Sequence, residues 1–207
     1  MVKKAISLIL IIFLLCGLCV TPAAAYMPSS FSVTAEGCLI ANTDTDTVIY
    51  EKNADQRLYP ASLTKIMTAM VVLDECKDLE NTIVTANKDT LDLLLGTDSS
   101  VFNLVADEQL PAIELLYILL VHSANDAANM LAEHFGGTIP GFVDKMNAKA
   151  KELGMNGTHY MNAHGLHDDN HYTTPRDMYL LTKYALKNET FKKIYNNISS
   201  SRYCNWI

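Results

Sequence analysis

Residues 60–70 read PASLTKIMTAM, and they place a hydroxyl at Ser62 one helical turn ahead of an amine at Lys65. Pro60 suits a helix start. Ile66, Met67, Met70, Val71 and Leu73 then follow a period close to 3.6 until the charged stretch DECKDLEN at 74–81. Residues three apart on a helix share a face, so Ser62 and Lys65 can meet without long-range assembly. A serine hydroxyl is a weak nucleophile near neutral pH and needs a base within hydrogen-bond reach. A lysine serves as that base only when burial or neighbouring positive charge lowers its pKa, and the apolar IMTAMVV run at 66–72 offers the burial. The helix start is expected to contribute free N–H groups and a favourable dipole for negative charge. Taken alone, Ser-X-X-Lys is better read as an N-cap serine followed by a surface lysine.

A second stretch, HSANDAANMLAEHFG at 122–136, changes that balance. Pro111 opens one helix (AIELLYILLV), and a separate helix is expected from Asn125 or Asp126 to Gly136-Gly137. Ser123 and Asn125 then stand at a helix-to-helix junction, where capping is the plain alternative to chemistry. His122 has no G-X-S-X-G elbow beside it and is read as packing at a helix end; Asp126 is read as capping or charging a helix start.

With these segments in order, the chain resembles the serine DD-peptidases of the penicillin-binding type, the low-molecular-mass D-alanyl-D-alanine carboxypeptidases of the S11 class. The likeness rests on PASLTKIMTAM, LLYILLVHSANDAANMLAEHFG, FVDKMNAKAKELGM, the Asn162-Ala163-His164-Gly165-Leu166 stretch and the TT-X-RDM segment, and spans roughly residues 35–195. It implies an α+β, β-lactamase/DD-peptidase-like fold, a helical region with an antiparallel sheet. It implies acyl transfer without metal or cofactor. Ser62 would attack the carbonyl between the terminal D-alanines of a peptidoglycan stem peptide, with Lys65 taking its proton. Ser123 would relay a proton to the leaving D-alanine, and Asn125 would bind the substrate amide and hold Lys65. β-Lactams would be trapped on Ser62. Asn162, His164, Gly165 and Leu166 belong to a motif read as structural, and His167 and His171 are read as incidental.

The family's third motif, Lys-Thr-Gly, occurs nowhere in the sequence, whose last residue stands 84 positions after Ser123. The resemblance therefore implies a C-terminally truncated domain over residues 26–207, without its C-terminal sheet strands and impaired or inactive on its own. Three rivals compete. A metal site could be drawn from His159, His164, His167 and His171, but their spacing fits no helix-borne zinc pattern. A β-lactamase would need a water-activating glutamate, loosely echoed by Glu152 and Asn156. A non-catalytic chain would bind peptidoglycan or penicillin without turnover.

Residues 36–52 carry two apolar runs, CLIA and TVIY, around NTDTD, which predicts a β-hairpin. Residues 81–110 are read as loop-rich, with a short helix near 88–95. Helices are expected for PGFVDKMNAKAKELG and for TPRDMYLLTKYALKN, the latter capped by Thr174. Lys3, Lys4, the apolar run 5–20 and TPAAA at 21–25 read as an export signal cleaved after Ala25. Export places the protein in the cell envelope or outside the cell, with peripheral membrane association left open. Without residues 1–25, 14 basic side chains face 23 acidic ones, which argues against nucleic acid as a partner. Cys38, Cys76 and Cys204 form no disulfide framework.

Overall fold

The computed structural model describes residues 31–196; the expected export signal, Cys204 and the tail that follows Asn196 lie outside them. Two antiparallel strands come first, β1 (Cys38–Asn42) and β2 (Thr47–Lys52), paired from Cys38 opposite Lys52 to Asn42 opposite Thr47. The predicted turn forms because Asn42 Oδ1 accepts the Asp44 and Thr45 N–H groups, which fixes the reversal through a side chain.

A single 3-10 turn (Ala61–Leu63) then runs into α1 (Thr64–Glu75). The segment expected to be loop-rich contains β3 (Ile83–Thr85) and α2 (Lys88–Asp92), and it leads into β4 (Gln109–Pro111), which pairs with β3. Strands of three residues carry too few positions to show a period of two, and so they left no sequence signal.

The remaining helices are α3 (Ala112–Val121), α4 (Asn125–Gly136), α5 (Ile139–Glu152), α6 (Pro175–Ala185) and α7 (Glu189–Asn196). Ala112, Leu115, Leu116 and Leu119 give α3 its buried stripe. α4 is buried continuously from Asn125 to Ala132 and packs on α1, α2, α3 and α5. Its alanines at 127, 128 and 132 let those neighbours approach closely. At the α4–α5 turn only glycine fits at 136, where a Cβ would lie 2.5 Å from Phe142 N. α5 presents Phe142, Met146 and Ala150 to the core, and α6 presents Asp177, Leu181 and Ala185, each set spaced by four. Thr174 caps α6 as expected, accepting the Asp177 N–H.

α7 was not anticipated from sequence, although its signals are local. Asn188 Oδ1 accepts the Phe191 N–H, and Phe191 and Ile194 bury one face, packed toward α3. The hairpin lies against α6, held by Arg176 to Asp55 (2.7 Å) and Glu51 (2.9 Å) and by Lys183 and Tyr179 to Asp46. Between β1 and α6 runs an apolar cavity of about 570 Å³, bordered by Leu39, Leu58, Leu63 and Met178.

Candidate active site

Ser62 lies in the 3-10 turn rather than in the helix proper, and it and Leu63 are exposed while Thr64 and Lys65 beyond them are buried. The turn depends on Ala61, whose φ of 48° is left-handed, a conformation that costs an alanine about 1 kcal/mol or more. Gly165 supports it from outside, packed so closely that a Cβ there would sit 1.8 Å from the Ala61 carbonyl oxygen. Backbone of this kind persists only where the surroundings enforce it.

Lys65 rises from the first turn of α1 and is 2% exposed. Its Nζ donates to Ser62 Oγ at 3.2 Å and to the His164 carbonyl at 2.9 Å. Burial pushes its pKa from the ordinary 10.5 down to about 8. The amine is therefore substantially neutral at mildly alkaline pH, in contact with the hydroxyl it would deprotonate. The burial comes only partly from the apolar face of α1. The loop 161–171 covers the same turn: Thr68 Oγ1 donates to the Ala163 carbonyl at 2.6 Å, and Thr64 Oγ1 bonds His171 Nε2 at 2.8 Å.

The expected oxyanion contribution of the helix start is narrowed. The Leu63 N–H is taken by the Pro60 carbonyl and the Thr64 N–H by Ala61 and Ser62, so neither is free for substrate.

Ser123 and Asn125 sit where the sequence placed them, between α3 and α4, an element that packs on α1. Ser123 takes a left-handed φ of 56°, and the buried Asn125 donates its N–H to the Ser100 carbonyl at 2.8 Å. Asp126 does more than charge a helix start. Its carboxylate accepts the N–H groups of Phe102 and Leu104 at 3.0 and 3.1 Å, tying loop 100–104 to the junction. His122 ends α3 with its ring 5.0 Å from Phe102, a packing role as expected. Among the described residues no side-chain hydrogen bond joins Ser123 or Asn125 to Ser62 or Lys65. Beside Ser62, Lys65 has the His164 carbonyl as its partner, a main-chain atom that residue identity could not reveal.

The four loop histidines are engaged separately. His159 Nδ1 bonds the Asn170 carbonyl, His164 Nδ1 accepts the Leu166 N–H, His167 Nε2 faces Asp169, and His171 joins Thr64. Burial, aided by the positive charge of Lys65, lowers the His164 pKa to about 4, and burial does the same to His171. Among the described residues no three His, Cys, Asp or Glu side chains converge as metal ligands. His171 was read as incidental and is instead 2% exposed, behind the turn that carries Ser62. Glu152 closes α5 on an exposed face, paired with Lys149 at 2.8 Å, which suits a solvated charge better than a water activator. No described helix is long and apolar enough to cross a membrane.

A family model described as Peptidase_S11, D-alanyl-D-alanine carboxypeptidase, matches residues 23–205. The D-alanyl-D-alanine carboxypeptidase DacF of Bacillus subtilis is 34% identical over 165 residues, covering 80% of this chain and 42% of its own. Among solved structures, the Streptomyces K15 DD-transpeptidase superposes with a TM-score of 0.76 at 33% identity, over 81% of this chain and 66% of the other. Penicillin binding protein 5 of Haemophilus influenzae gives 0.74 at 32% identity, over 81% and 50%. The chain spans about half the length of the curated relatives it matches, 42% to 61% for three of them. The fold is thus the α+β, β-lactamase-like arrangement of the DD-peptidases.

Proposed function

The chain belongs to the D-alanyl-D-alanine carboxypeptidase family of S11 peptidases, and from that premise we propose that it is an exported serine acyl-transfer enzyme acting on peptidoglycan stem peptides ending in D-Ala-D-Ala. The observation that carries this reading is the contact between the exposed Ser62 hydroxyl and the buried Lys65 amine, whose pKa burial holds near 8.

In this reading neutral Lys65 removes the Ser62 proton as Oγ attacks the carbonyl of the penultimate D-alanine. The C–N bond to the terminal D-alanine breaks, and Ser123 relays a proton to the departing amine. Asn125 orients the substrate amide. Water then hydrolyses the ester on Ser62 and returns the hydroxyl. β-Lactams acylate the same oxygen, and the ester persists because the ring-opened product stays in place. The relatives carry both carboxypeptidase and transpeptidase names; the two differ in whether water or an amine takes the acyl group.

Residues 1–207 contain no Lys-Thr-Gly triplet. In the family that motif supplies an oxyanion donor, and losing one such donor costs about 2.7 to 4 kcal/mol in the transition state. We therefore expect residues 1–207 alone to acylate slowly and turn over little, which favours penicillin binding without turnover as the second reading. Residues 26–207 form the DD-peptidase part, and the site faces peptidoglycan only after export directed by residues 1–25.

Fluorescent penicillin followed by intact-mass analysis tests the reading. A single adduct on Ser62, absent from Ser62→Ala, supports it; an adduct that survives Ser62→Ala, or none at any concentration, overturns it. D-Alanine release from a stem peptide separates turnover from binding alone.

A further inference from the structure

His171 is a buried imidazole with both nitrogens engaged and no part in the acyl-transfer scheme. The Met161 main-chain N–H, which can only donate, points at its Nδ1 at 3.1 Å. Nδ1 must then carry a lone pair, so the proton of the neutral ring sits on Nε2 and is donated to Thr64 Oγ1 at 2.8 Å. The ring is further fixed edge-on against Tyr160, 5.6 Å between centroids. Thr64 lies between Ser62 and Lys65 in sequence and is fully buried.

The same loop meets the nucleophile's turn at three further points: the His164 carbonyl on Lys65, the Ala163 carbonyl on Thr68, and Gly165 against the Ala61 carbonyl. Of these four contacts only that of His171 comes from a loop side chain. We propose that His171 is a positioning residue for the Ser62–Lys65 pair: its Nε2–H locks loop 161–171 onto the first turn of α1 and so sets the carbonyl that holds Lys65. The proposal rests on the acyl-transfer reading for its consequence in catalysis, though not for the geometry itself. The charged and titratable groups facing the imidazole are Asp168, which favours its protonation, and His159, which opposes it; His164 lies close enough to feel its charge.

The test compares the full chain with His171→Ala, His171→Gln and His171→Asn. Glutamine can place an amide donor near Nε2 and keep the Thr64 bond, whereas asparagine reaches only as far as Nδ1. Long-range nitrogen–proton NMR on the wild type is expected to give a single Nε2–H tautomer; the Nδ1–H tautomer overturns the proposal. Side-chain NMR of Lys65 is expected to titrate near 8 in the wild type and Gln variant, and about one unit or more higher in Ala and Asn. Penicillin acylation should fall about tenfold in Ala and recover in Gln. An unchanged Lys65 titration in a folded Ala variant overturns the proposal whatever penicillin does. If all three variants fail to fold, His171 is a fold residue only and the positioning role is overturned. A wild type that resists penicillin while Lys65 responds as stated overturns the acyl-transfer reading and leaves the role of His171 standing.

Discussion

The first turn of α1 and the β1–β2 hairpin are both held by polar side chains, under opposite conditions. At the turn, Thr64, Lys65 and Thr68 are buried and each meets a partner 95 to 107 positions away. At the hairpin, Arg176 and Lys183 reach Glu51, Asp55 and Asp46 across solvent, beside an apolar cavity. A hydrogen bond in water exchanges with solvent at little gain, while a buried donor left without its acceptor loses its full desolvation energy. The turn should therefore behave as one rigid unit and the hairpin as a face that tolerates change.

Gly165→Ala should disrupt the turn most severely. Its φ of 95° disfavours any side chain, and the new Cβ would overlap the Ala61 carbonyl. We expect a loss of about 3 kcal/mol or more by urea denaturation, or no folded protein at all. A variant as stable as the wild type would show that the loop does not press on the turn.

Acid should act on the turn next. His164 and His171 titrate near 4 when folded and near 6.5 when unfolded, so between these values the unfolded chain binds more protons. Their contribution is complete above pH 6.5 and is lost as pH falls toward 4. Denaturation midpoints should drop by an equivalent of about 2 to 4 kcal/mol over that window. The His164→Asn, His171→Gln double variant should flatten the slope.

Thr68→Val keeps the volume but removes the donor to the Ala163 carbonyl, and should cost about 1 to 2 kcal/mol at any pH. Arg176→Ala, on the exposed hairpin side, should leave the urea midpoint within experimental error, because its ion pairs are screened. A midpoint shift for Arg176→Ala larger than that for Thr68→Val would invert the contrast between the two regions.

What could be read from the sequence follows the range of the interaction. Ser62 and Lys65 were legible because their contact spans three residues on one helical track. The hairpin turn, the caps at Thr174 and the stop at Gly137 were legible for the same local reason. The His164 carbonyl, the clasp of His171 and the anchoring of loop 100–104 by Asp126 join distant segments, and no spacing rule reports them. Burial of Lys65 was expected from the apolar face of α1, yet the loop 161–171 supplies its fixed partner.

If a buried, neutral Lys65 activates Ser62, the pH dependence of penicillin acylation by the intact chain must follow the lysine. The rate should climb through a single ionisation near pH 8 and then level, with the adduct on Ser62. A rate that is flat across that range, or that rises only near the ordinary lysine value of 10.5, would contradict it.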